Sequence, residues 1–506
     1  MKHFVTSSIV FITFLIFSNS IAQINSIDLD DLQYSRKEYY KSRGVLYAAD
    51  SLLKDGFDVE LNSKEMKLNS HLTSLQKDYI KHSGPMFAPA NYFYKYRNMI
   101  DTSEIYKKIQ RMPKGALLHI HSTAMGDAEW LVKNASYREH CYFYNKENDL
   151  NNVYGSMYFY EDGKAPADWV PIKNLRAADP DFDNKLLKLL TFSAADENSP
   201  VIWEDFEKIF TRMGGLIEYL PVFKDYLTDA LTILLKDKVQ HVEVRTSLHG
   251  LYDLEGKYYS YVEYAQVHSA VINELKAKYP QLTTKIIFAG WRGNSPEGVM
   301  NYINIAFDVK KAFPQLLTGF DLVGEEDAGH RTDYFLNEFF KKDSLEDVYD
   351  LKLPFYFHDG ESTLPIDNNL YDAFLLRSKR IGHGINLFRF PTLEQIARDE
   401  KIPIEVCPLS NQILGYVANL RMHPASGYLN KGIPITISSD DPQIFNYRGL
   451  SYDFWTAYMA WELDLRQLKK FALNSLVYSA LEEKEKDEAI KYFLDEWDKW
   501  VNLELK

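Results

Sequence analysis

The sequence has few cysteines and no long cluster of basic residues, and its N-terminal apolar run is too short for a membrane-spanning helix. Only Cys141 and Cys407 are cysteines among 506 residues, so the chain has no disulfide framework. The formal net charge of −13 argues against nucleic acid or an anionic membrane surface as a partner. The run from Phe4 to Phe17 falls short of the ~20 residues that a membrane span needs. Nucleic acid and, after processing, membranes are therefore not expected partners.

The first 22 residues are typical of a signal peptide. Lys2 precedes the apolar run, and Ser20-Ile21-Ala22 before Gln23 resembles a small-residue cleavage site. An uncleaved anchor helix is the alternative, which the short run disfavours. No cysteine lies directly after the run, where a lipid-anchored precursor would have one, and this disfavours such a precursor. We expect an extracytoplasmic protein, secreted or periplasmic, that begins near Gln23.

Eight short apolar runs, each ending abruptly in polar residues or glycine, recur along the chain, and helix-period stretches lie between most of them. This alternation of strands and helices predicts an α/β fold, the (β/α)8 TIM barrel. The predicted strands are the run ending at His121, then Val239 to Arg245, Thr284 to Gly290, Leu316 to Gly324, Pro354 to Gly360, Lys379 to Gly384, Ile402 to Pro408 and Ile433 to Asp441.

Two regions fall outside the simple barrel pattern. Residues 23–105 contain charged stretches of helical period, with a break rich in glycine and proline at Ser83 to Pro89, and predict an N-terminal helical arm. About 120 residues separate His121 from Val239, against roughly 30 in an ordinary βα unit. We therefore predict a barrel domain at 106–506 with a large insertion after its first strand, at about 128–199.

Residues that can bind a metal ion cluster at the predicted strand ends. His119 and His121 are two apart on a strand and so point to the same side. His358 and Asp440 end the fifth and eighth strands, and catalytic groups of such barrels lie at the C-terminal ends of the strands. Singly, each has an ordinary explanation as a core histidine or a turn aspartate. Together, three nitrogens and one carboxylate predict a catalytic zinc site with one position left for water.

Several motifs resemble one enzyme family, the adenosine deaminases. Those that resemble the family as a whole are Met112-Pro113-Lys114 leading into His119-Ile120-His121, His358-Asp359-Gly360-Glu361, Arg380-Ile381-Gly382-His383-Gly384, Glu405-Val406-Cys407-Pro408-Leu409-Ser410-Asn411 and Ser438-Ser439-Asp440-Asp441-Pro442. Gly319 to Gly324, Gly449 to Phe454 and the helical arm are similar to its secreted branch, the adenosine deaminase-related growth factors. The resemblance extends from about Leu61 to the C-terminal helices.

This resemblance implies zinc-dependent hydrolytic deamination of adenosine and 2′-deoxyadenosine. Glu361 would protonate the ring nitrogen beside C6, while His383 would orient the attacking water and take its proton. Asp441 matches the family residue that binds the imidazole edge of the purine, and the Gly324 backbone matches the one at the opposite edge. Trp203 ends the insertion, where branch members have a tryptophan near the ribose; ordinary helix packing is the alternative for it.

The resemblance also bears on metal count and assembly. Two-metal relatives in the wider amidohydrolase superfamily use a bridging lysine at the end of strand four, where this chain has Asp321-Leu322-Val323-Gly324. One zinc ion per chain is therefore expected. The arm makes a homodimer in the growth-factor branch, and the same is expected here.

The chain departs from the family pattern at two places. Ser122 and Thr123 occupy positions where relatives have an aspartate that binds the ribose 5′-hydroxyl, and Asp359 occupies one where alanine is usual. Neither change removes a metal ligand or the proton donor, so the chemistry is retained while the ribose contact is expected to differ. Deamination of another or modified aminopurine, and a non-catalytic signalling protein, remain alternatives. AMP is disfavoured because no Arg/Lys cluster accompanies the motifs.

Overall fold

A computed structural model describes residues 35–506. The predicted signal peptide and the first residues of the arm lie outside the described residues. The strands are β1 Gly115–His121, β2 Cys141–Tyr144, β3 Met157–Phe159, β4 Trp169–Pro171, β5 Val239–Thr246, β6 Thr283–Trp291, β7 Leu317–Val323, β8 His358–Asp359, β9 Ile381–His383, β10 Ile404–Val406 and β11 Ile435–Ile437.

Helices surround these strands and account for most of the remaining chain. They are α1 Arg36–Leu53, α2 Ser63–Ser83, α3 Phe93–Thr102, α4 Glu104–Arg111, α5 Ala128–Lys133, α6 Ile172–Ala178, α7 Phe182–Leu190, α8 Ile202–Ile217, α9 Leu220–Lys236, α10 Tyr261–Lys278, α11 Pro296–Ala312, α12 Leu336–Tyr349, α13 Asn369–Leu375, α14 Pro391–Asp399, α15 Pro408–Ile413, α16 Ala425–Asn430, α17 Ser451–Ala460, α18 Leu465–Val477 and α19 Glu483–Glu504. Short 3-10 helices are Gly84–Met86, Ala88–Ala90, Ala135–Tyr137, Ala194–Asp196, Thr332–Phe335, Ile385–Arg389 and Leu420–Met422.

The barrel consists of two four-stranded parallel sheets joined at both seams. The strand orders are β1-β5-β6-β7 and β8-β9-β10-β11. At one seam the Asp440 amide donates to the His119 carbonyl over 3.2 Å, and at the other the Tyr356 amide donates to the Phe320 carbonyl over 2.9 Å. The predicted (β/α)8 fold is thus confirmed, with each of the eight predicted strands lying at its expected place.

The second half of the barrel has shorter strands than the apolar runs predicted. Strands β8 to β11 have two or three residues each, whereas β5 has eight. Their ends turn through left-handed residues, with φ of 80° at Gly360 and 62° at both His383 and Asp440. Such residues cannot continue a strand. The chain therefore leaves the sheet early and carries the polar residues into the loops above it.

The insertion forms a small layer of its own beside the barrel. Its strands pair antiparallel in the order β3-β2-β4, and α8 and α9 then lead back to β5. Phe192 donates its amide to Ile444 in the loop after β11 over 2.9 Å. This contact holds the end of the insertion next to the C-terminal mouth of the barrel.

The arm region divides into a docked part and an exposed part. Helix α2 begins with a capping box between Asn62 and Glu65. The buried Glu65 carboxylate also accepts from Lys469 Nζ (2.6 Å) and Trp497 Nε1 (2.8 Å), which fixes α2 against the C-terminal helices. By contrast, α1 has no buried residue.

Two further features concern the described residues. Cys141 and Cys407 are both buried and unpaired. Among residues 35–506, no helix combines the length and apolar character that crossing a bilayer would require.

Candidate functional site

A cavity of about 380 Å³ opens at the C-terminal ends of the barrel strands. Eight of the nine residues predicted for the site line its wall, and the ninth, His119, lies behind them, fully buried. The eight are His121, Trp203, Gly324, His358, Glu361, His383, Asp440 and Asp441. Residues from the insertion and from five different strand ends thus meet in one cavity.

Three of the predicted metal ligands, His119, His358 and Asp440, have donor atoms within 4.8 Å of one another, and His121 joins them through a second group that shares Asp440. The Nε2 atoms of His119 and His121 lie 3.4 and 3.2 Å from Asp440 Oδ1. The Nε2 atoms of His121 and His358 are 3.3 Å apart. His119 Nε2 and Asp440 Oδ1 are both buried without a hydrogen bond anywhere in residues 35–506. Buried polar atoms without partners are costly, and a shared cation would satisfy all of these.

Carboxylates behind the histidines fix the direction of the rings. His119 Nδ1 lies 2.8 Å from Glu405 Oε2, and His358 Nδ1 lies 2.7 Å from Asp321 Oδ2. Each carboxylate can accept a hydrogen bond from the Nδ1–H of its ring, which leaves Nε2 free to bind a cation. His119 Nε2 then faces Asp440 Oδ1, and His358 Nε2 faces His121 Nε2. Metal-binding histidines in proteins almost always have such a partner. The donor set and its support therefore fit a divalent metal ion.

A network of buried charges supports these carboxylates from below. Arg245 donates through Nε to Asp321 and through Nη2 to Glu405, both over 2.6 Å. Arg380 also donates to Glu405, and over 2.6 Å to Glu243. All five side chains are almost completely buried. These ion pairs hold Asp321 and Glu405 in place behind the histidines.

His383 belongs to the same group of donor atoms as three of the predicted metal ligands. Its donor atom falls within 4.8 Å of those of His119, His358 and Asp440. Its Nδ1 is 3.4 Å from Glu361 Oε1 and 3.3 Å from Asn411 Nδ2. Burial lowers the pKa of His383 well below its usual range, which favours the neutral imidazole. A neutral imidazole can accept a proton.

The environment of Glu361 favours the protonated form of its side chain, whereas that of His383 favours the unprotonated form. It is buried, and burial together with the charge of Asp440 raises the pKa of its carboxyl well above the usual range. Burial also opposes ionisation of Asp440, but contacts from His119 and His121 hold the pKa of that carboxyl well below its usual range. One carboxyl can thus keep a proton while its neighbour stays ionised, which is the arrangement that acid catalysis beside a cation requires.

The outer wall of the cavity is largely aromatic. Trp203 lies in the first turn of α8, and Phe206 and Phe210 follow on the same helix. Trp291, at the end of β6, is 53% exposed and covers Gly324, where an added Cβ would lie 3.0 Å from the indole. Gly324 has φ 104°, a conformation that favours glycine. A planar ligand would find stacking surfaces on this wall.

Sequence reasoning missed several functional residues. No role was predicted for Asp321, Glu405, Arg245 or Trp291, although three of them carry charge inside apolar strand runs. A charge in a strand that is buried on both faces must be paired. That signal could have indicated a buried ion network, but not which charges pair across the barrel.

Comparisons with known proteins agree with this geometry. The family profile described as Adenosine deaminase matches residues 185–497, and the profile described as Adenosine/AMP deaminase N-terminal matches residues 12–109. The chain is 37% identical to Adenosine deaminase 2 of Dictyostelium discoideum, over 87% of this chain and 83% of that protein. It is 36% identical to Adenosine deaminase 2-A of Danio rerio, over 91% and 93% of the two chains. The crystal structure of the Arabidopsis N6-mAMP deaminase superposes with a TM-score of 0.57 at 15% identity, over 77% of this chain and 99% of that one.

The first prediction concerns metal content. Purified protein should contain about one divalent metal ion per chain, and His119→Ala should lose most of it, because this ring supplies a buried nitrogen with no other partner. Elemental analysis measures both. His268→Ala is the matched control, since this histidine is equally buried but lies outside the cluster. Equal metal content in the two variants would contradict the assignment.

Proposed function

The chain belongs to the adenosine deaminase family, and from this premise we propose that it is an exported, zinc-dependent adenosine deaminase. It hydrolyses adenosine or 2′-deoxyadenosine to inosine or deoxyinosine and ammonia. The observation that carries the proposal is a buried Glu361 beside three histidines and Asp440 in one site, with the pKa of Glu361 raised by burial and that of Asp440 lowered by its histidine contacts.

The choice of zinc rests on the chemistry of the donors. His119, His121, His358 and Asp440 would hold the ion, and imidazole with one carboxylate is a donor set that zinc accepts. Zinc bound there would supply a Lewis acid and lower the pKa of a water molecule to about 7. One ion is proposed because the loop after β7 begins with Gly324 and offers no bridging lysine.

The remaining steps belong to the side chains around the cavity. His383 orients the attacking water and accepts its proton as the oxygen adds to C6 of the purine. Glu361 donates a proton to the ring nitrogen beside C6, which lets the ring accept the electron pair. Asp441 and the Gly324 amide hold the two edges of the base, and Trp203 borders the ribose. His383 then passes its proton to the C6 amino group, which leaves as ammonia, while the C6 hydroxyl becomes the carbonyl of the product and returns its proton to Glu361.

The second prediction tests the proton donor. Purified protein should convert adenosine to inosine in an ultraviolet assay, and Glu361→Gln should lower turnover by about 10² to 10⁴, the usual contribution of general acid catalysis. Metal content should stay unchanged, because Glu361 is not a ligand. Glu204→Gln, an exposed change on α8, serves as control. Near-normal turnover in Glu361→Gln would assign the acid to another group, and inactivity of the unaltered protein on adenosine would contradict the proposed substrate.

The third prediction concerns the ribose 5′-hydroxyl. Ser122 and Thr123 line the cavity where relatives have a carboxylate, and Glu207 on α8 lines the same cavity. A neutral hydroxyl partner gives about 0.5 to 1.5 kcal/mol, against roughly 1.5 to 3 for a charged one. We therefore expect weak discrimination between adenosine and 5′-deoxyadenosine, and a sharper preference in Ser122→Asp, measured as kcat/KM for both nucleosides.

Glu207 provides the alternative outcome of the same experiment. If the unaltered enzyme already disfavours 5′-deoxyadenosine by a hundredfold or more, the argument from Ser122 and Thr123 is wrong. Loss of that preference in Glu207→Gln would then identify the carboxylate that binds the hydroxyl.

Export and dimerisation complete the proposal. The signal-like sequence before Gln23 supports export. Helix α1 supports a dimer, because it covers no core and exposes Tyr39, Tyr40 and Tyr47 at 49, 55 and 76%. A second copy of the chain would bury these rings, which otherwise form an exposed apolar surface.

The fourth prediction tests the exported protein. Mass spectrometry should place its N-terminus near Gln23, and light scattering should give the mass of a dimer. Deleting residues 23–54 should give a folded monomer, because α1 has no buried residue. Deleting as far as residue 83 would also remove the docked helix α2 and is expected to destabilise the barrel. A dimer that survives the shorter deletion would show that α1 is not the interface.

A further inference from the structure

Glu326, in the loop after β7, holds the backbone of the residue that carries the proton. Its side chain is buried, 4% exposed, and does not line the cavity. Oε1 accepts from the Gly360 amide over 3.0 Å, and Oε2 accepts from the Glu361 amide over 2.6 Å. Asn369 Nδ2 donates to Oε1 as well, over 2.7 Å. Both carboxylate oxygens thus accept hydrogen bonds from the backbone of the turn at Gly360 and Glu361.

The same turn is held from its other side. The Asn386 amide donates to the Gly360 carbonyl over 3.1 Å. Gly360 has φ 80°, and an added Cβ would lie 2.7 Å from Asn386 Oδ1. The turn therefore lies between the loops that follow β7 and β9, with little room to shift.

Asp359 and Arg292 support this arrangement. Arg292 donates to the His358 carbonyl and lies 3.4 Å from Asp359 Oδ1, which also accepts from Thr332 Oγ1 over 2.7 Å. Asp359 thus points away from the cavity and anchors the strand end. Burial raises the pKa of Glu326 to about 7, and the Arg292 guanidinium opposes this rise. Asp359, which stands where the resembled family usually has alanine, therefore helps to fix the strand end that leads to Glu361.

We propose that Glu326 is a positioning residue that aims the Glu361 carboxyl into the cavity, and this rests on the proposed function. It lies two residues after Gly324, whose amide is proposed to meet the base. The loop after β7 would therefore position one edge of the purine base through the Gly324 amide and, through Glu326, the Glu361 carboxyl that protonates the base. Effective proton transfer needs the donor within hydrogen-bond reach, and a misplacement of about 1 Å can cost roughly a hundredfold.

Glu326→Gln is the informative change. The amide keeps the volume of the side chain but replaces one acceptor with a donor that faces a backbone N–H or the Asn369 amide. Turnover should fall about ten- to a hundredfold, while KM and metal content change little, because neither the ligands nor the cavity wall is altered. Glu325→Gln is the matched control, since Glu325 neighbours Glu326 on the same loop and lies outside the cavity wall.

A double-mutant cycle separates positioning from a general structural role. If Glu326 acts through Glu361, adding Glu326→Gln to a Glu361→Gln enzyme should cause no further loss of turnover. Losses that multiply, or a Glu326→Gln enzyme as fast as the unaltered one, would overturn the proposal. Inactivity of the unaltered protein on adenosine would instead contradict the proposed function itself.

A milder variant decides the matter should Glu326→Gln fail to fold. Asn369→Ala removes one donor to Glu326 and the acceptor of the Thr332 backbone amide, and it leaves the Glu326 carboxylate in place. It should reduce turnover to a smaller degree, and again only where Glu361 is intact. A reduction of equal size in the Glu361→Gln background would overturn the proposal.

Discussion

The contact of Arg245 with Asp321 and Glu405 is the interaction on which the rest of the site depends. The two carboxylates orient His358 and His119, and the guanidinium between them offsets their charges where all three groups are buried. Removing one partner of a buried ion pair typically costs about 3 to 5 kcal/mol, because the other charge is left uncompensated. The directions of His119 and His358 are therefore set by Glu405 and Asp321, two carboxylates that do not line the cavity.

The barrel separates rigid support from chemistry along each strand. The lower part of the strands packs as an apolar and ion-paired core, while the last residue or the loop beyond it carries the reactive group. His383 and Asp440 adopt φ of 62° at such ends, which a non-glycine residue adopts at a cost. That strain persists only because the surrounding strands and helices fix the backbone. It places both side chains on the wall of the cavity, with their donor atoms beside those of His119 and His358.

The sequence predicted much of this, for reasons that also explain what it missed. Apolar runs ending in polar residues identify barrel strands, and strand ends identify the residues that meet at the mouth, such as His121 and Asp440. Spacing along one strand cannot reveal partners across the barrel. The ion pairs of Arg245 with Asp321 and Glu405, and the hydrogen bond from the Glu361 amide to Glu326, were therefore not predictable. The docking of α2 was missed for the same reason, because it depends on one buried ion, Glu65, reaching Lys469 and Trp497 about 400 positions away.

The cavity has a floor and a mouth that are built on different principles. The floor consists of buried, mutually supported charges, so almost any change there leaves another group unsatisfied. The mouth is formed by aromatic rings and small hydroxyls from the insertion, from strand ends and from loops, such as Trp291 and Ser122. Substitution at the mouth changes what the cavity accepts without disturbing how the floor works. The departure at Ser122, set against an intact floor, is therefore the kind of change by which a fixed reaction acquires a different substrate preference.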